Sequence, residues 1–195
     1  MVFALDDSSS ITVINWNTLL GFVCNNYIQY LNISSTTIRV GMILYDTNAR
    51  IIFRLTQYNT RSTLTAACNA MTFTGGSTNL LDALTMALTL FQDSPRTQCQ
   101  KVVVIITDGR SNDPVASTIQ GNVVKSAGVK ILGVAVVPTT DSAGFKELQQ
   151  VATSPDEVQQ LWVPDFNSLA TKLNLLLQYS CLASPVPGKP IIILL

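Results

Sequence analysis

Histidine is absent from the 195 residues. With it go the commonest general base, the usual zinc ligand and any Ser-His-Asp triad. Charge is sparse: Asp, Glu, Lys and Arg make up 12% of the chain, twelve of each sign. No basic run occurs, so the electrostatic footprint of a nucleic-acid binder is missing, and no Lys-rich helical face marks a membrane-surface segment. The aliphatic end, Ile191-Ile192-Ile193-Leu194-Leu195, falls far short of the roughly 20 residues that span a bilayer. Of the four cysteines (Cys24, Cys68, Cys99 and Cys181) no two form a C-x-x-C pair, which argues against a zinc cage. Their even number fits disulfides in an oxidising compartment, with three pairings open, or apolar buried thiols.

What is present is a large apolar fraction, 47%, enough for one domain with a filled interior rather than a disordered chain. There is no internal repeat and no low-complexity block. Met1 runs straight into an apolar strand, so the chain reads as an excised domain or fragment lacking its signal peptide. Asn32-Ile33-Ser34 is the one glycosylation sequon, a hint of secretion. Residues 1–180 read as the domain; 181–195, with prolines at 185, 187 and 190, read as a tail or linker.

Elements alternate along the chain. Val2–Leu5 is a short apolar run of the kind found in a strand covered on both faces. Trp16, Leu19, Leu20, Val23, Tyr27 and Leu31 lie on one stripe at helical spacing, with Ser10 or Thr12 as its cap. Ile38–Tyr45 and Ile51–Leu55 read as a hairpin, which places one antiparallel strand at an edge. A short helix at Thr63–Met71, a longer one from Leu80 to Phe91, and the β-branched strand Lys101–Thr107 follow. Ser117–Ala127 reads as helix, Val129–Val137 as buried strand, Phe145–Ala152 as helix and Leu161–Val163 as strand. Phe166–Leu177 is the last helix, with Asp165 as N-cap. The fold class is therefore α/β: a doubly wound, mostly parallel sheet with one antiparallel edge strand and helices on both faces.

Three loops carry the chemistry. Asp6-Asp7-Ser8-Ser9-Ser10 follows the first strand, Gly75-Gly76-Ser77-Thr78-Asn79 precedes a helix, and Thr107-Asp108-Gly109 follows the β-branched strand. In an open α/β sheet, ligands sit beyond the carboxyl ends of the strands, where Asp6 and Asp108 stand. Asp6, Ser8, Ser10, Thr78 and Asp108 together offer only hard oxygens, the donor type that suits Mg²⁺. Singly, each loop is an ordinary cap or turn. Asp113 is expected to cap the helix that follows it.

The three motifs together resemble the von Willebrand factor type A domain and its metal-ion-dependent adhesion site. Asp6, Ser8 and Ser10 match the family's D-x-S-x-S, Thr78 its threonine after the glycine pair, and Asp108 the aspartate of its T-D-G. The resemblance runs from Val2 to about Tyr179 and is closest to extracellular matrix-type members. It implies a Rossmann-like fold carrying Mg²⁺, with Mn²⁺ or Ca²⁺ as alternatives, at the top of the sheet. Serines, and in some states the threonine, would coordinate directly while aspartates act through water. The cation then stays electrophilic enough to take an acidic side chain from a partner, such as collagen or another matrix protein. Asp7 departs from the family in a spacer that is more often small; it is expected to face solvent, the alternative being that its charge tightens metal binding. Cys181 resembles the terminal cysteine that pairs upstream of the first strand in matrix-type relatives, a partner this sequence does not contain.

The expected function is metal-dependent adhesion by a secreted module, not catalysis. The alternative is a structural or assembly role in an extracellular matrix or biomineral scaffold. Two aspartates after the first strand also resemble a phosphate-receiver site. No lysine follows Val129–Val137, however, and G-G-x-T has no place in such a site. Some family members shift their last helix with affinity; Phe166–Leu177 is the counterpart here.

Overall fold

A computed structural model of the chain describes residues 1–96 and 99–180. Five strands form one sheet: β1 (Val2–Asp6), β2 (Gly41–Tyr45), β3 (Ala49–Phe53), β4 (Lys101–Thr107) and β5 (Val129–Ala135). Their order is β3-β2-β1-β4-β5. All neighbours are parallel except β2 and β3, whose hairpin supplies the antiparallel edge. The fold is the α/β sandwich that the alternation of elements predicts.

The two-residue side-chain period of the central strands builds two cores. Phe3, Leu5, Val102, Val104 and Ile106 face one layer, and Val2, Ala4, Val103 and Ile105 the other. The first layer holds α1 (Thr12–Leu20), α2 (Arg61–Asn69) and the C-terminal α7 (Leu173–Tyr179). The second holds α3 (Leu80–Gln92), α4 (Pro114–Ser126), α5 (Ala143–Val151) and α6 (Pro155–Leu161). Among the described residues, no helix is long and apolar enough to cross a membrane.

Several elements depart from the sequence pattern. The first helical stripe is buried from Trp16 to Leu31 as expected, yet the α-helix ends at Leu20. A π-helical turn, Gly21–Asn26, and a 3₁₀ turn, Tyr27–Tyr30, carry the chain on. Widening the turn at Gly21 lets three consecutive side chains, Phe22, Val23 and Cys24, all bury. The last helix is likewise split, with 3₁₀ geometry over Phe166–Lys172 before α7. Asp165 caps it as expected, accepting from Ser168 N at 3.0 Å.

Leu161–Val163 is not a strand. Val163 makes an isolated bridge to Val136, and Pro164, with no N–H, cannot extend the ladder. The helix α6, absent from the sequence reading, carries a capping signal in plain view: Ser154 accepts from Glu157 N at 3.3 Å, with Pro155 in the first turn.

Cys24 in the π turn is bonded to Cys68 in α2, with Cα atoms 5.7 Å apart. The sequence left this pairing open. Cys99 is free and exposed; Cys181 and the tail 181–195 lie outside the described residues. Closing a loop of 44 residues stabilises by roughly 4 kcal/mol on chain entropy alone. Replacing both Cys24 and Cys68 by Ala should therefore lower the unfolding free energy by about 2–4 kcal/mol in urea titrations. An unshifted midpoint would show that the crosslink contributes nothing to stability.

Candidate functional site

The register of the sheet brings the first and third loops together. Leu5 pairs with Ile106, so Asp6 and Thr107 end adjacent parallel strands at the same level. Thr107 Oγ1 donates to Asp6 Oδ2 at 2.6 Å, and Ser8 N donates to Asp6 Oδ1 at 2.9 Å. The loop thus curls back over its own strand end. Ser10 Oγ donates to Asp108 Oδ1 at 2.7 Å and lies 3.1 Å from Ser8 Oγ. Asp6, Ser8 and Ser10 of the first loop and Asp108, 98 residues beyond Ser10, form one hydrogen-bonded cluster.

Thr78 is tied by its backbone to Asn112 in the loop after β4, not to a member of the cluster. Thr78 N donates to Asn112 Oδ1 at 3.1 Å, and Asn112 N donates to Thr78 O at 2.8 Å, tying the second loop to the third. Ser9 N donates to Gly76 O at 2.9 Å, and Gly76 N donates to Ser9 Oγ at 2.8 Å, tying it to the first. Gly76, at φ 137°, has no room for a side chain: a Cβ would stand 2.8 Å from Thr47 Oγ1. The Thr78 hydroxyl itself makes no hydrogen bond to the other four site residues.

The electrostatics of the cluster are one-sided. Burial pushes the Asp6 carboxyl up to about 6, against the hydrogen bonds from Ser8 and Thr107, and the charge of Asp108 adds to the rise. Asp108 is also raised by burial, with the Ser10 bond opposing. Among the described residues, neither carboxylate takes part in an ion pair. Two carboxylates and three hydroxyls, all hard oxygen donors with no cation among them, fit a divalent cation.

The main correction concerns Asp7. It is fully buried, not solvent-facing. Its N–H extends the ladder by donating to Tyr45 O at 3.0 Å, and strand alternation then turns its side chain away from Asp6. There it pairs with Arg50 of β3 and accepts from Thr74 Oγ1 at 2.7 Å. Arg50 also holds Asp46 Oδ2 at 3.0 Å, as does Thr74 Oγ1 at 2.7 Å. Burial raises the Asp7 carboxyl, with Thr74 and Arg50 opposing. Asp46, less enclosed, is pushed up by burial but held below its ordinary value by bonds from Thr74, Asn48 and Arg50.

Other supporting residues also escaped the sequence reading. Glu147 of α5 is a buried carboxylate that accepts from Ser111 N at 2.9 Å and from Ser111 Oγ, fixing the loop after Asp108. Gly144 permits that close approach, since a Cβ there would stand 2.6 Å from the Gly109 carbonyl carbon. Asp113 caps α4 as expected, accepting from Ala116 N at 3.0 Å. Of the two cap candidates for α1, Thr12 accepts a long bond of 3.5 Å from Asn15 N, while Ser10 is committed to Asp108. Thr12 is also the one non-glycine residue at positive φ, 64°, among the described residues. A β-branched residue there is strained, and the strain lies two residues from Ser10.

Removing Arg50 would strand the Asp7 carboxylate in the interior. Arg50→Ala should lose about 2 kcal/mol of unfolding free energy at neutral pH, less than a fully enclosed pair because the guanidinium side is partly solvated. The loss should shrink as pH falls, because a protonated Asp7 needs no partner. Urea titrations at several pH values check this; a deficit that is absent or constant with pH would contradict it.

A family model described as von Willebrand factor type A domain matches residues 1–174. Vitrin of Mus musculus is 31% identical over 167 residues, covering 86% of this chain and 25% of vitrin. The Collagen alpha-4(VI) chain of Mus musculus is 29% identical, covering 86% of this chain and 7% of the collagen chain. The chain therefore spans a quarter or less of these relatives. Proximal thread matrix protein 1 from the mussel byssus, solved with a zinc-occupied MIDAS motif, superposes with a TM-score of 0.80 at 24% identity. The match covers 92% of this chain and 47% of that one. Loop motifs, sheet order and family match agree: the chain belongs to the von Willebrand factor type A domain family.

Proposed function

We propose that the domain is a non-catalytic binding module. In this reading Asp6, Ser8, Ser10, Thr78 and Asp108 hold a divalent cation that an acidic side chain of an extracellular protein completes. The observation that carries it is the cluster of Asp6, Ser8, Ser10 and Asp108, whose two raised carboxylates have no cation of their own. The bound ion would supply a Lewis-acidic centre of strong local positive charge. The chain's part is to orient hydroxyls, and to keep both Asp6 oxygens engaged by Thr107 and Ser8 so that Asp6 contributes charge from behind. All-oxygen donors favour Mg²⁺, with Mn²⁺ or Ca²⁺ as alternatives; the zinc in the mussel protein supports a divalent ion at this kind of motif.

The relatives support a matrix partner, collagen or a similar protein. The Cys24–Cys68 disulfide fits secretion into an oxidising compartment. We take residues 1–180 as the domain and 181–195 as a Pro-rich connector. No activated nucleophile or positioned base stands at the site, which is why binding is preferred to chemistry.

Two measurements test the reading. Without metal, the protonated form of Asp6 is the favoured one, so its contribution to stability is present below about 4 and is lost as pH rises through about 6. A cation needs the ionised form. Mn²⁺ affinity, followed by titration calorimetry, should therefore level off above pH about 6, where binding releases no proton from Asp6, and fall by at least about tenfold per unit well below it, where binding must displace the Asp6 proton. A pH-independent affinity would place the ion elsewhere.

Asp108→Asn should lower cation affinity by at least about tenfold and abolish Mg²⁺-dependent capture on immobilised collagen and other matrix proteins, with the fold intact. Capture that survives excess EDTA would overturn the adhesion reading. Mg²⁺ that raises the melting temperature while no acidic ligand competes would favour a purely structural ion.

A further inference from the structure

The sequon Asn32-Ile33-Ser34 is the one motif of the sequence that the candidate site does not absorb, and the chain holds no other Asn-x-Ser or Asn-x-Thr triplet. Such a triplet becomes an acceptor when the folded chain can tolerate a bulky, hydrated substituent on the asparagine, which means a surface position. Asn32 meets that condition. It is exposed and lies outside the regular elements, between the 3₁₀ turn Tyr27–Tyr30 and β2. Its backbone is held, with Asn32 O accepting from Ile38 N at 3.1 Å. Ile33 and Ile38 bridge across the base of the turn, and Ser34 Oγ closes it by accepting from Thr37 N at 3.0 Å. The Asn32 side-chain amide, by contrast, makes no hydrogen bond among the described residues, so a substituent on Nδ2 displaces none.

The position is also clear of the candidate cation site. β1 and β2 run parallel, with Val2 beside Gly41, so the segment that leads into β2 stands at the amino ends of the strands. Asp6 and Asp108 stand at the carboxyl ends. A glycan on Asn32 leaves the three site loops uncovered.

A second observation lies beside the amide. Asn32 lines a cavity of about 440 Å³, within the roughly 300–1,000 Å³ of small-molecule sites. Ile38, Leu55 and Phe91 give it an apolar wall, and Arg39, Arg96 and Gln100 line it with N–H donors. Arg96 is held in place by donating to Thr36 O and Thr37 O, each at 2.6 Å, and has further N–H groups to offer. No carboxylate lines the cavity. Apolar surface next to convergent donors suits an amphipathic sugar ring, whose C–H face packs while its hydroxyl and acetamido oxygens accept.

We propose that Asn32 is the acceptor of an N-linked glycan whose first sugars lie in this cavity. The inference rests on the reading of the chain as secreted. The donor is an oligosaccharide carried on a lipid diphosphate. Asn32 Nδ2 forms a bond to C1 of the first sugar as the C1–O bond breaks, the lipid diphosphate leaves with that bonding pair, and Nδ2 gives up one proton.

Intact-mass spectrometry of the chain, expressed behind a signal peptide in a eukaryotic secretory cell line, reads the modification. The expected result is a heterogeneous mass excess that peptide-N-glycosidase removes, leaving Asp in place of Asn32. Asn32→Gln and Ser34→Ala should each lack the excess, and Ser34→Thr should keep it. A secreted parent with the mass of the bare polypeptide, or an excess that survives in Asn32→Gln, overturns the acceptor assignment. A glycan present here but missing from the protein of its natural source supports the acceptor assignment and overturns secretion instead. Thermal melts read the packing. Trimming to the first sugar with an endoglycosidase should leave the melting temperature unchanged, and complete removal should lower it by about 2–4 °C. A melt indifferent to complete removal overturns the placement of the sugars in the cavity. Mn²⁺ affinity should be the same with and without the glycan; a change would contradict its position at the far end of the sheet.

Discussion

Two carboxylates brought side by side at the carboxyl end of a parallel sheet, with no basic side chain between them, set the character of this domain. Burial and mutual repulsion hold the Asp6 carboxyl at about 6, and Asp108 is raised in the same direction. Protein interiors seldom leave such groups without a countercharge, because the ionised form loses its hydration and gains nothing in return. The fold supplies hydroxyls and backbone N–H groups to them but commits the Arg50 guanidinium to Asp7 and Asp46. That division leaves Asp7 and Asp46 sharing one countercharge, while Asp6 and Asp108 have none in an ion pair among the described residues.

The surrounding architecture holds the cluster by several independent ties. β1 and β4 fix Asp6 and Asp108 through register. Asn112 joins the Thr78 loop to the loop after β4, Ser9 joins it to the loop after β1, and Glu147 braces the third loop from α5. Gly76 and Gly144 stand where backbone meets backbone too closely for a side chain. The loops are thus held both by the scaffold, through strand register and α5, and by one another, as a preorganised binding surface requires. The strained Thr12 at φ 64° shows where the chain bends sharply to leave the site and enter α1.

The parts legible in the sequence were those with a local signal. Strand runs such as KVVVIIT gave the sheet, the hairpin gave the antiparallel edge, and the three loop motifs gave the five candidate ligands. Long-range electrostatics was not legible. Asp7 reads as one more loop aspartate until β3 is known to place Arg50 opposite it, and nothing near Glu147 announces that it will receive Ser111. The π turn was hidden because its residues keep the apolar stripe of an ordinary helix. The start of helix α6 is written in Ser154, Pro155 and Glu157, but its seven residues bury only Val158 and Leu161, too few to show a helical period. The disulfide was beyond sequence spacing, because Cys24 and Cys68 meet only through the packing of the π turn on α2.

The central claim is that a divalent cation rests among Asp6, Ser8, Ser10, Thr78 and Asp108. Crystals soaked in Mn²⁺ and recorded for anomalous scattering test it most directly. The account predicts a single strong peak bounded by the Ser8 and Ser10 hydroxyls, with Asp6 and Asp108 beside it and the Ser10–Asp108 hydrogen bond reorganised around the ion. Density without such a peak at this cluster, or a peak held by other residues, would contradict it.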